Sequence, residues 1–158
     1  MDNKKKDRLR RAVRALMLFI AALLLIVALL IPVINNFVAA AVMHDLEALP
    51  LPPATVLSDS VSMAGKLSGA GNGMQYFGGV LLQSDLTLEE LENYYLSYQE
   101  GLFDCRIKAQ KGSAVAQIEH ESLTFSVDVQ GDDWYILYTW GSVPNWAADW
   151  LNLDSRGH

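Results

Sequence analysis

Residues 15–34 of this 158-residue chain read ALMLFIAALLLIVALLIPVI, twenty consecutive positions without a charged side chain. As a helix rising 1.5 Å per residue, the stretch would span about 30 Å, which is the thickness of the hydrocarbon core of a bilayer. A single segment in lipid satisfies its own backbone hydrogen bonds only as a helix. The stretch therefore predicts a transmembrane helix.

Charge predicts the orientation of that helix. Residues 1–14 carry seven basic and two acidic side chains, whereas residues 15–158 carry five basic and sixteen acidic ones. Segments rich in Lys and Arg next to a membrane span stay in the cytoplasm. We therefore expect a single-pass protein of the cell membrane, with a cytoplasmic N-terminus and an extracytoplasmic C-terminal domain, as in the cell envelope of a prokaryote.

Other interpretations of the apolar stretch fit less well. A cleaved signal peptide could use the small residues 39–41 as its cleavage site, but its apolar region would be about 7–15 residues long. A lipoprotein would need a lipidated thiol, and the single Cys105 lies far from the N-terminus. Seven adjacent cations argue against a buried core helix. A retained signal-anchor remains, in which Ala15 and Ala22, one heptad apart, could mark a helix contact.

The rest of the chain divides into two parts. Residues 35–54 are predicted to be a connector, which begins at Asn35-Asn36 as the chain leaves the membrane and in which residues 37–46 could extend the helix by a few turns. Three prolines between positions 50 and 53 favour an extended, stiff spacer that holds the folded part off the bilayer. Residues 55–158 are predicted to form one exported domain.

The apolar periodicity of that domain predicts an α+β fold, an antiparallel sheet in the order ββαββββ with one helix on a face. A short C-terminal helix is expected from the helical spacing of Trp146, Trp150 and Leu153. The predicted strands are 55–67, 74–83, 103–110, 114–119, 122–129 and 134–140, and the predicted helix is 84–100.

Local signals refine these elements. Thr87 and Glu90 have the spacing of a capping box. The pair Gly78-Gly79 inside a strand predicts a bulge or a close backbone approach. In the last strand, Trp134 and Trp140 lie on one face and are expected to be buried.

Cys105 and His120 are candidate catalytic residues. A two-residue turn at Gly112-Ser113 would place them opposite each other on neighbouring strands. A thiol activated by an imidazole is the minimum for nucleophilic catalysis by cysteine. The alternative is a core cysteine and a histidine at the sheet edge, because no third group that would orient the imidazole is identifiable.

Candidate partner-binding residues lie in a glycine-rich loop and in the C-terminal tail. The loop differs from phosphate-binding loops, because a strand rather than a helix follows it. Trp146 and Trp150 would form a recognition patch if exposed. The loop candidates are Gly69, Gly71, Asn72 and Gly73.

Other function classes find no support in the sequence. The three histidines are widely separated, and Asp128, Asp132 and Asp133 lack the spacing of a calcium loop, so we expect neither a metal nor a cofactor. Nucleic acid is excluded as a partner, since the predicted exported part carries a net charge of −11.

The sequence as a whole predicts a membrane-anchored binding or accessory module with an unidentified protein partner and without enzymatic activity. Two alternatives stay open. One is a subunit of a larger envelope membrane complex. The other is a thiol-dependent envelope enzyme that uses Cys105 and His120. The sequence leaves the oligomeric state open.

Overall fold

The computed structural model describes residues 3–71, 73–99, 104–141 and 154–157. It contains an N-terminal apolar helix, a four-stranded antiparallel sheet and a second short helix, which confirms the predicted α+β class. The elements are α1 (Asn3–Glu47), β1 (Thr55–Gly65), β2 (Gln75–Ser84), α2 (Leu88–Leu96), β3 (Cys105–Ala109), β4 (Trp134–Gly141) and a 3₁₀ turn (Ser155–Gly157).

Helix α1 is continuous over 45 residues, or about 67 Å at 1.5 Å per residue. Its most apolar 18-residue window has a mean hydropathy of 3.2, so the helix is long and apolar enough to cross a membrane. Only 6% of that window is buried inside the protein. Residues 35–47, predicted as part of a connector, continue the helix, because they are rich in alanine and contain no Gly or Pro.

The C-terminal part of α1 lies directly on the sheet. A Cβ atom added to Gly78 would lie 2.7 Å from the backbone nitrogen of Met43, which confirms a close backbone approach at this glycine. The prolines lead from α1 into β1, while α1 itself contacts the sheet, so the expected spacing of the domain from a bilayer stays a prediction. The buried residues recur at helical spacing and are Ile31, Asn35, Ala39, Val42 and Leu46.

The strands are arranged in the order β1-β2-β4-β3, with all neighbours antiparallel. The last strand therefore lies in the centre, between β2 and β3. The irregularity in the sheet falls between Leu57 and Asp59 of β1 rather than at the paired glycines of β2.

The two faces of the sheet are covered differently. Helices α1 and α2 cover one, which we call the helix face, where Val80, Leu82 and Leu137 are buried. Residues 110–133, which we call the covering segment, lie over the other, which we call the segment face. There Phe125 packs with Phe77 and with other buried side chains, namely Leu67, Leu81, Val115, Ile118, Val129, Trp134, Ile136 and Tyr138.

The predicted strands 114–119 and 122–129 are wrong. Within the described covering segment, a single bridge joins Ala114 to Thr124. The segment still buries its alternating apolar side chains, but side chains satisfy much of its backbone. The Gln110 amide donates to the carbonyls of Gly112 and Ala114, and Ser126 donates its backbone N–H to the Asp59 carboxylate.

Helix α2 follows the prediction closely. Thr87 is the N-cap and forms the capping box with Glu90, while Leu91 and Tyr95 are buried. The helix ends at Leu96, before the predicted position 100. In β4, Trp134 is buried as expected, whereas Trp140 is half-buried against the same cluster. The predicted C-terminal helix lies outside the described residues.

Candidate functional site

A buried cluster of hydrogen-bonded polar side chains lies where the apolar stretch of α1 ends. Asn35 is fully buried in α1, and its amide donates to the Asp154 carboxylate over 2.9 Å. The Tyr76 hydroxyl donates to the Asn35 amide oxygen, also over 2.9 Å. We call Asn35, Asn36, Tyr76, Asp154 and Arg156 the Asp154 cluster.

Arg156 links the chain terminus to the helix through three kinds of acceptor. Its guanidinium forms a two-pronged ion pair with Asp154, at 2.9 Å from Nε and 2.7 Å from Nη2. It also donates to the Asn36 side chain over 2.8 Å and to the Pro32 carbonyl over 3.1 Å. Because Arg presents its donors in a rigid fork, it can bridge these groups at once.

The electrostatics of the Asp154 cluster favour the ionised acid. The hydrogen bonds from Arg156 lower the pKa of Asp154 to about 2, although burial of the carboxyl opposes this. The pKa of the Arg156 guanidinium is raised by the same hydrogen bonds. The cluster is therefore a fixed ion pair near neutral pH, without a group poised to exchange protons.

A cavity of about 590 Å³ opens beside this cluster. One wall is α1 and the opposite wall is the end of β1, so the cavity lies between the helix and the sheet edge. Arg156 contributes a partly exposed guanidinium to an otherwise largely apolar lining. The lining includes Val33, Phe37 and Ala40 of α1 with Ser62 and Met63 of β1.

The glycine-rich loop lies next to this end of the sheet and is held from within. The Gln75 side-chain oxygen accepts from the backbone N–H groups of Leu67 and Ser68. The backbone N–H of Gly69 donates to the Glu119 carboxylate. A Cβ added to Gly69, Gly71 or Gly73 would meet no atom within 4 Å. The loop is anchored on its inner side and open on its outer side; Asn72 lies outside the described residues.

The structure does not bring Cys105 and His120 together as neighbours on paired strands. Cys105 pairs with Thr139 and is fully buried on the helix face, where burial raises the pKa of its thiol. His120 is exposed, and its Nε2 lies 2.7 Å from the Gly69 carbonyl oxygen. The predicted pairing is wrong because β3 pairs with β4. A buried thiol with a raised pKa has the character of a core cysteine.

A second groove of about 430 Å³ lies between α2 and the edge strand β3. Arg106 and Lys108 line it from β3, and Leu96 and Gln99 line it from the end of α2. The hydroxyl of Tyr95, which also lines this groove, is buried and has no hydrogen-bond partner among the described residues. Among the described residues, the groove therefore combines the end of α2 with a sheet edge.

Sequence reasoning missed the roles of Asp154 and Arg156. Asn35 interrupts an apolar stripe of α1, and a buried amide requires partners. That signal predicts a polar contact, but the partner Asp154 lies 119 residues away in the chain, and no local pattern identifies it.

Trp146 and Trp150 lie outside the described residues. Within the described ranges, no three His, Cys, Asp or Glu side chains come together as metal ligands. Comparison with known proteins gives no further identification: no family model, curated protein or solved structure matches the chain.

Proposed function

We propose that this protein is a single-pass, membrane-anchored binding or accessory module that displays its α+β domain on the extracytoplasmic side of a cell membrane. The observation that carries the proposal is the continuity of α1. One helix contains the whole apolar stretch and then packs on the sheet through Gly78. The anchor and the domain thus share one rigid element, which fixes the height of the domain above the lipid.

The orientation rests on charge. The basic side chains that precede the apolar stretch stay in the cytoplasm by the positive-inside rule. The domain on the other side is acidic, which suits a soluble surface more than adhesion to anionic lipid.

A protein partner fits the α2–β3 groove best among the described surfaces. Strand β3 is an edge strand, and edge strands present unpaired backbone groups to which an extended peptide can add. Arg106 of this strand pairs with Asp104 over 2.9 Å, and Glu92 of α2 lines the same groove, so its charges are mixed. An extended segment of a partner that adds along β3 is the chemistry that this groove would recognise.

Two cysteine variants test the anchor and the orientation. Val56→Cys places a thiol at a position of β1 that is 63% exposed, and Leu9→Cys places one at a position that is 59% exposed before the apolar stretch. In intact cells a membrane-impermeant maleimide should label Val56→Cys, and should label Leu9→Cys only after permeabilisation. Native Cys105 is buried and serves as the internal blank, labelled only after denaturation.

The reverse labelling pattern would overturn the orientation, and release of the chain by a carbonate wash would overturn the anchor.

The partner is tested separately with a photo-cross-linker at Asn93, which lines the groove, and at Glu89 of the same helix, which does not line it. A discrete protein adduct at position 93 alone is expected, and equal capture at both positions would contradict the proposed groove.

A further inference from the structure

We propose that the cavity beside the Asp154 cluster holds a phospholipid of the surrounding bilayer. This inference rests on the proposed membrane anchor and adds a binding site that the anchor itself does not require. It concerns the wall of α1 between Val33 and Ala40 and the facing end of β1 at Ser62 and Met63.

The position of the cavity along α1 is the first argument. The apolar stretch ends at residue 34, so Val33 lies at the boundary of the hydrocarbon core. Phe37 and Ala40 follow about 6 and 10 Å further along the axis. The headgroup region of a bilayer extends about 5–8 Å beyond the hydrocarbon on each side. The cavity therefore begins at the boundary of the hydrocarbon core, reaches headgroup depth at Phe37 and ends just beyond it at Ala40.

The lining is the second argument. Val33 and Phe37 offer apolar surface, and Phe37 is 71% exposed although it is a large aromatic residue. The hydroxyl of Ser62 and the guanidinium of Arg156 lie on the same cavity and can donate to ester or phosphate oxygens. An amphipathic molecule with an apolar chain and an oxygen-rich head matches both parts.

The occupant of the cavity could be a lipid or a helix of another protein, and the high concentration of lipid in a membrane favours the lipid. The exposed apolar surface of α1 runs without interruption from Leu29 and Leu30 inside the apolar stretch to Val33 and Phe37 at the cavity. In a membrane, lipid is the solvent of that surface, and every copy of the protein meets it. A phospholipid that extends from this surface into the cavity covers the aromatic ring of Phe37 without a second protein.

Two variants of one helix provide the test. Ala40→Phe fills the cavity, whereas Ala41→Phe places the same ring on the exposed neighbouring position, which does not line it. Full-length protein is extracted from phosphatidylglycerol–phosphatidylcholine membranes in mild detergent, and retained phospholipid is counted by native mass spectrometry. Wild type and Ala41→Phe should keep a phospholipid that Ala40→Phe loses.

A photo-cross-linking residue in place of Phe37 gives an independent readout in native membranes and leaves the cavity open. A lipid adduct is expected, and an adduct with another protein would overturn the proposal. Equal lipid retention by Ala40→Phe and Ala41→Phe would also overturn it, as would a wild type that retains none. Failure of the anchor is distinguishable, because the chain would then leave the membrane in a carbonate wash.

Discussion

The two faces of the sheet are held in different ways. On the helix face, α1 approaches β2 so closely that only a glycine fits at position 78. On the segment face, the covering segment contributes large side chains to the core while forming almost no strand ladder of its own. One face depends on backbone fit and the other on side-chain volume.

This contrast shows what each cover must satisfy. A helix forms its backbone hydrogen bonds internally, so it needs only a surface without protruding side chains. Gly78, which has no side chain, provides that surface. An irregular segment must find partners for its backbone groups, so polar side chains such as Asp59 and Gln110 supply them.

Truncation of Phe125, a large buried side chain of the covering segment, should lower the free energy of unfolding more than any other substitution that we propose. Phe125 is buried on the segment face. Phe125→Ala should lower the free energy of unfolding by about 3–5 kcal/mol, since a large cavity remains. The measurement is chemical denaturation of the full chain in detergent micelles, followed by tryptophan fluorescence. Leu123→Ala, at a partly buried position of the same segment, should cost clearly less. If both variants lowered the free energy of unfolding equally, the covering segment would not be an ordered part of the core.

The adjacent glycines of β2 compare the two faces directly. A Cβ at Gly78 would lie 2.7–2.9 Å from backbone atoms of Met43 and Val42, whereas at Gly79 it would meet side chains of Phe77 and Ile136 at 3.1–3.3 Å. Backbone cannot yield as side chains do, so Gly78→Ala should cost about 3 kcal/mol and Gly79→Ala about 1 kcal/mol or less. The same denaturation experiment measures both. A reversed order would show that α1 does not rest on β2.

The sequence predicts elements whose stabilisation is local. The capping box at Thr87 and Glu90 and the apolar stretch of α1 are complete within a few turns of chain, and both are confirmed. The covering segment is different, because strict alternation at Phe125 and its neighbours describes burial but not the source of the backbone hydrogen bonds. The hydrogen bond between Asp59 and Ser126 joins residues 67 positions apart, and no local sequence pattern around either residue predicts it.

The Asp154 cluster ties the helix face to the chain terminus and should make stability depend on pH. The pKa of Asp154 is about 2 when folded, compared with about 3.9 when unfolded. Its contribution, about 2–3 kcal/mol, is therefore fully present well above the unfolded pKa and is lost as the pH falls from about 4 through 2.

Asp154→Asn removes the charge and keeps the shape, so it should lower stability by a similar amount at pH 7. The difference between this variant and wild type should shrink as the pH falls from 4 to 2. Denaturation curves at pH 7, 4 and 2.5 measure the trend. A pH-independent difference would mean that Arg156 does not depend on the charge of this partner.

The smallest effect is expected where a side chain anchors the covering segment. The Asp59 carboxylate accepts from the backbone N–H of Ser126 over 2.7 Å and from its hydroxyl over 2.8 Å. Burial alone would raise the pKa of Asp59, but the hydrogen bonds from Ser126 and Ser60 outweigh it and lower the pKa below its usual range. The stabilisation is therefore present above the unfolded pKa and is lost as the pH falls.

Asp59→Asn weakens these hydrogen bonds and should cost about 1 kcal/mol, which corresponds to about fivefold faster amide exchange around Ser126. Hydrogen exchange with mass spectrometry resolves this segment from the strands. Asp128→Asn is the matched control, because its exposed carboxylate accepts only from the nearby Gln130 among the described contacts. If both variants accelerate exchange equally, the segment is held by its apolar side chains alone. Faster exchange in Asp59→Asn only would show that a polar anchor on β1 replaces the missing ladder.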